Sequence, residues 1–166
     1  MQGCVTIVKA PTEPLPTLTI ERINTSLPMP TYAHEADSGF DLYAAEDVNL
    51  FVGETVLVPT GIRMSIPDGY EVQVRSRSSM ASSSVIIPNS PGTVDSGYTG
   101  EIKVLMRYLG EDYDDPEDGQ RTHRRYLKGD KICQAVLAPV TRAHIVEGVV
   151  ACDTERGEGG FGSTGK

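Results

Sequence analysis

The sequence predicts an all-β domain, an antiparallel sandwich or barrel, and three observations carry that expectation. Helical periodicity is nearly absent from the 166 residues. Short alternating or apolar runs recur instead, with turn chemistry between them. One run, "YEVQVR", sets Val72 and Val74 on one face and Glu71, Gln73 and Arg75 on the other, the period of a half-buried strand. Many short strands closing on turns bury their apolar faces as two packed sheets or as one sheet rolled on itself.

In chain order, residues 1–16 ("MQGCVTIVKAPTEPLP") are punctuated by proline and predict a flexible arm without the apolar run of a signal peptide. The β domain is expected over 17–154. Its strands are read at "LTIERI", in the half-apolar stretch around Asp41, and at "TVLVPTGIRMSI", "YEVQVR", "SVIIP", "EIKVLMRY" and "ICQAVLAPV". "PDG", "NSPG", "DSGYTG" and "KGD" supply turns, and "SSMASSS" allows one helical turn. Residues 111–125, inside "GEDYDDPEDGQRTHRR", run from acidic to basic with no apolar period. They predict an exposed loop between two strands, either solvated surface or a partner-binding patch. Residues 155–166 are a glycine-rich tail.

Composition narrows the function. Fifteen Lys and Arg against 23 Asp and Glu give a net charge of -8, which argues against a general nucleic-acid binder. One phosphorylated small molecule remains compatible, because a few arginines and a metal ion can set a local field. No apolar stretch approaches membrane-spanning length. Cys4, Cys133 and Cys152 form neither a disulfide framework nor a C-x-x-C metal pair, so a reducing cytoplasm is the expected setting.

Several segments carry chemistry-bearing residues. "DSGFDLYAAED" holds Asp41 between two apolar residues, and "RSRSSMA" gathers arginines and serines after a strand. Such a group suits an anion-binding turn as well as plain surface. "NSPGTVDSGYTGEI" displays Asp95 and Tyr98 between glycines: a turn-capping acid and a packing ring, or a general base and a platform for a sugar or base. In "KGDKICQ", Gln134 is an uncharged polar residue entering an apolar strand. The tail "RGEGGFGSTGK" includes G-x-x-x-x-G-K but lacks the strand, helix and following hydroxyl of a P-loop. It cannot pack as a strand or helix, so a mobile flap is expected, closing over a base and its phosphates.

Taken in order, "SGFDLYAAED", "RSRSSMA", "GTVDSGYTGEI", "KGDKICQ" and "RGEGGFGSTG" resemble the five motifs of the trimeric deoxyuridine triphosphatases (dUTPases). The likeness runs from about Leu18 to Gly165. It implies a jelly-roll-like fold, a homotrimer with each site built from more than one chain, and Mg²⁺-assisted hydrolysis of dUTP to dUMP and pyrophosphate. That reaction limits uracil incorporation into DNA and supplies dUMP. By the same resemblance Asp95 activates the water that attacks the α-phosphorus, and Tyr98 packs under deoxyribose. Asn89 sits where uracil is read, in a hairpin. Arg77, Ser78, Ser79 and Gln134 meet phosphates, and Asp41 holds the metal through water. In the tail, Arg156 meets the γ-phosphate, Phe161 covers uracil, and Ser163 and Thr164 bind phosphates. Ser79 and Met80 depart from the usual Gly and Leu, and the triplet "RSS" at Arg77, Ser78 and Ser79 is similar to the related dCTP deaminases. Leu105, however, stands where a deaminase has its glutamate. A nucleotide-sensing module with residues 111–125 as partner surface is the alternative from another class.

Overall fold

The alternation of "YEVQVR" is realised in the computed structural model, which describes residues 14–111, 123–150, 154 and 156–159. Val72 is fully buried and Val74 nearly so, while Arg75 reaches solvent. The elements are β1 (Thr19–Arg22), β2 (Phe40–Tyr43), β3 (Val48–Phe51), β4 (Thr55–Pro59), β5 (Ile62–Ser65), β6 (Tyr70–Arg75), α1 (Ser78–Ser82), β7 (Val85–Ile86), β8 (Gly92–Asp95), β9 (Lys103–Tyr108), β10 (His123–Tyr126) and β11 (Lys131–Pro139). Every strand pairing is antiparallel. A four-stranded sheet in the order β2-β11-β6-β8 and a three-stranded sheet β4-β9-β7 are joined by two ribbons, β1-β5 and β3-β10. This is the expected all-β, jelly-roll-like architecture.

One continuous core lies between the layers. The four-stranded sheet contributes Phe40, Leu42, Val72, Val74, Ile132 and Ala135, and the other elements add Leu50, Val58, Ile62, Met64, Val104 and Met106. Burying an aliphatic side chain of this size contributes about 1.5–3 kcal/mol.

Local chemistry explains where the strands stop. "TVLVPTGIRMSI" breaks into β4 and β5 because Thr60 and Gly61 donate elsewhere. Thr60 Oγ1 reaches the Ile102 carbonyl at 2.6 Å, and the Gly61 N–H reaches Glu101 Oε1 at 2.9 Å. "SVIIP" is strand only at Val85–Ile86, since the Ser90 N–H closes a turn onto the Ile87 carbonyl at 2.9 Å.

One expectation needs correcting. The loop read over 111–125 gives way to strand at His123, which pairs with Phe51, and the ladder runs on to Tyr126 against Val48. Backbone pairing along β3 overrides the local polarity of the sequence, and Tyr126 packs against the core. Residues 112–122 lie outside the described residues. Beyond Val140, whose N–H donates to the Gly69 carbonyl, residues 141–150 carry no strand pairing and are exposed throughout. Ile145 is 90% and Val149 103% exposed.

Candidate active site

Residues directly opposite on antiparallel strands share a face, so register maps the site. Asp41 on β2 faces Gln134 on β11, which faces Arg75 on β6. Four residues along β6, Glu71 faces Asp95 on β8. Three residues singled out from sequence, Asp41, Gln134 and Asp95, therefore share the outer, polar face of one sheet. Glu71, Gln73 and Arg75 join them, and sequence reasoning did not assign these to the site. Gln73 Nε2 donates to Glu71 Oε1 at 2.6 Å, and Arg75 Nε donates to Gln73 Oε1 at 3.1 Å. The signal was present in the alternation of "YEVQVR", but nothing local said which strand would lie beside it.

At one end of this face, Asp95 closes β8, exposed, at a cleft of about 290 Å³ also lined by Leu57, Thr93, Tyr98, Ile102 and Lys103. The Tyr98 N–H donates to the Asp95 carbonyl at 3.0 Å, and the Tyr98 hydroxyl donates to the Glu101 carbonyl at 2.9 Å. Tyr98 lies on Gly100: a Cβ there would stand 2.5 Å from the phenol oxygen and 2.7 Å from Cζ. Glycine is thus required for the ring's position, and the ring remains 47% exposed. Asn89 is exposed in the turn before β8, and its Nδ2 lies 3.0 Å from where Gly92 would carry a Cβ. The hairpin expected around Asn89 is not a paired one. β7 joins β9 and β8 joins β6, so the segment crosses between sheets, and each strand completes a different ladder.

At the other end, Arg77 is the extended residue capping α1, which Met80 pins into the core. Ser82 and Ser83 hydroxyls donate to the Ser79 carbonyl at 3.0 and 3.1 Å. The Asp41 carboxylate is held between two cations: Arg77 Nε lies 2.9 Å from Oδ1 and Lys131 Nζ 2.8 Å from Oδ2. The Arg77 N–H does not point along its contact, so that approach is coulombic rather than a directed hydrogen bond. Lys131, also unassigned from sequence, has its pKa raised by the hydrogen bond it donates to Asp41 and by that carboxylate's charge. Nearby Cys133 is buried, and burial pushes its thiol up, so it stays neutral. A pocket of about 410 Å³ opens here, lined by Arg77, Ser79, Ser83, Arg124, Arg125 and Lys131 among others.

No group of three or more His, Cys, Asp or Glu side chains gathers as a metal cage among the described residues. Each Asp41 oxygen, although ion-paired, keeps a further lone pair for a water. This donor set fits a magnesium ion that arrives on phosphates and meets the protein through its waters. In the tail, Arg156 Nε donates to the Gly159 carbonyl at 2.9 Å within a tight turn, where the Gly157 N–H also donates to Thr154 Oγ1. Phe161, Ser163 and Thr164 lie outside the described residues.

Asp41 and Asp95 are three strand spacings and four residues apart on the sheet, on the order of 20 Å. The Asp41 and Asp95 clusters therefore stand apart on the one sheet face.

Residues 25–165 match the family model described as dUTPase. The chain is 46% identical over 151 residues to the deoxyuridine 5'-triphosphate nucleotidohydrolase of Clostridium kluyveri, covering 89% of this chain and 97% of that protein. The enzyme of the same name from Nautilia profundicola is 43% identical, over 90% of this chain and 99% of its own. Among solved structures, a mutant Staphylococcus bacteriophage 80alpha dUTPase with dUpNHpp superposes with a TM-score of 0.75 at 28% identity, covering 90% of this chain and 99% of that one. The family model over residues 25–165 and relatives 43–46% identical over most of the chain agree: this protein belongs to the dUTPase family.

Proposed function

We propose that the protein hydrolyses dUTP to dUMP and pyrophosphate at sites shared between copies of the chain. One observation carries the reading: Asp95 with Tyr98, and Asp41 with Arg77 and Lys131, stand at opposite ends of one sheet face, on the order of 20 Å apart. Asp95 orients water toward the α-phosphorus, and Tyr98 offers its ring to the deoxyribose. Asn89 stands at the base-reading turn. On a neighbouring copy, Arg77, Ser78, Ser79 and Gln134 receive the phosphates. Bound magnesium would neutralise triphosphate charge and ease departure of pyrophosphate, with Asp41 holding its waters. The tail would close from above, Phe161 on the base, Arg156, Ser163 and Thr164 on the phosphates. Positioning and charge are all this chemistry asks of a protein.

A homotrimer satisfies the split site. Its formation is supported by residues 141–150, where Ile145, Val146, Val149 and Val150 are strongly exposed and recur too densely for ordinary surface. Leu105 faces Leu57 across β4 and β9, an apolar pair without the carboxylate a deaminase would need. A cytoplasmic setting follows from three cysteines whose number and spacing offer no disulfide framework. Incubation with each deoxynucleoside triphosphate, and with UTP, in the presence of Mg²⁺ tests the proposal. Pyrophosphate should appear from dUTP in strong preference to the rest. Ammonia released from dCTP, or no turnover of dUTP, would reject it.

A further inference from the structure

We infer that Arg124 is a binding residue for the terminal phosphate of the substrate, a contact that none of the five motifs contains. The inference rests on reading the Arg77 pocket as the phosphate half-site. Four cations line that pocket: Arg77, Arg124, Arg125 and Lys131. Three are already committed. Arg77 and Lys131 flank Asp41, and Arg125 Nη2 lies 3.0 Å from Asp47 Oδ2. Asp130, also on the wall, caps its own turn by accepting from the Leu127 N–H at 2.8 Å. Against the carboxylates Asp41, Asp47 and Asp130, the four cations leave one net positive charge. Arg124 is the cation without a hydrogen bond or ion pair among the described residues.

Its backbone is nevertheless fixed. β10 pairs with β3, and the turn that follows is clamped to the residue after β2: the Gly129 N–H donates to the Ala44 carbonyl at 2.9 Å, and the Ala44 N–H to the Asp130 carbonyl at 2.8 Å. The Lys128 N–H adds a bond to Asp47 Oδ1 at 2.9 Å. A guanidinium thus stands exposed on an anchored strand, beside a polar cavity with serine hydroxyls on its other wall. Its planar fork of donors matches phosphate oxygens. Of the three phosphates the terminal one carries the most charge, so an unpaired cation gains most there. The sequence concealed this residue in a charged stretch that reads as loop.

The test uses the full-length protein, with Arg124→Ala and Arg124→Lys compared against wild type. Titration calorimetry measures binding of dUpNHpp and of dUMP, and steady-state assays follow dUTP. Arg124→Ala should weaken dUpNHpp about tenfold, the usual scale for one charged hydrogen bond. It should raise KM more than it lowers kcat, leave dUMP affinity and melting temperature unchanged, and be largely rescued by lysine. Equal loss of dUMP and dUpNHpp affinity would overturn the inference by showing a merely structural effect. So would an alanine variant that binds dUpNHpp as tightly as wild type does. If wild type itself neither binds dUpNHpp nor consumes dUTP, the functional reading fails, and this inference with it.

Discussion

The cleft at Asp95 and the pocket at Arg77 share one sheet, yet they are held by opposite means. Around Asp95 no ion pair is present among the described residues, and the geometry comes from shape: a tyrosine resting on a glycine, its hydroxyl tied to a carbonyl. Around Arg77 the geometry comes from charge, with a half-buried carboxylate between two cations. On the proposed function the difference separates tasks. Reading a sugar and aiming a water need fixed contours, whereas holding a triphosphate needs positive charge whose mutual repulsion is kept in check.

The largest effect should come from the shape-built half. Asp95→Asn keeps size and polarity but removes the proposed base, so kcat should fall ~10²–10⁴-fold while dUpNHpp still binds. Single-turnover kinetics beside calorimetry would show it, and a variant with wild-type kcat would remove Asp95 from the chemistry. Next comes the division itself. Asp95→Asn and Arg77→Ala copies, each nearly inactive alone, should regain about a quarter of wild-type activity when refolded together, because chance assembly pairs their intact halves. No recovery would mean that each site belongs to a single chain.

A smaller effect separates shape from charge inside the first cleft. Gly100→Ala drives a Cβ into the Tyr98 ring, with overpacking of about 1–3 kcal/mol relieved by moving it. KM for dUTP should rise about tenfold by initial-rate assay, and discrimination against UTP should drop. Equivalent packing strain placed beside Arg77 should leave that discrimination intact. The smallest effect lies at the rim of the charged half. Hydrogen bonds from the Lys128 N–H and from Arg125 hold the Asp47 carboxyl below its ordinary range. A depressed carboxylate stabilises the fold above its unfolded pKa, and that contribution fades as pH falls through the folded value. Asp47→Asn should therefore melt slightly lower than wild type at pH 7, and calorimetry in strong acid should find the gap closed.

Much of this was legible residue by residue. The strand "YEVQVR" has the same bounds in sequence and structure, and the helical turn at "SSMASSS" forms as α1. Glycines at 92 and 100 stand where side chains press against them. What could not be read was partnership. β10 lies in a stretch whose charge reads as loop, because its hydrogen-bond partner is β3, some seventy residues earlier in the chain. Nothing local marked Lys131, which reaches Asp41 only because β11 pairs with β2.

By itself, then, the sequence determined the period of its strands, its turns and the residue types able to handle a nucleotide, since side-chain alternation and glycine tolerance are properties of the local backbone. The tertiary structure decided which of those residues meet. Register follows from closing one core with long-range ladders, and no local signal encodes it. That closure set Asp41 beside Arg77 and Lys131, left Arg124 without an ion pair among the described residues at the same pocket, and kept Asp95 on the order of 20 Å away across the sheet.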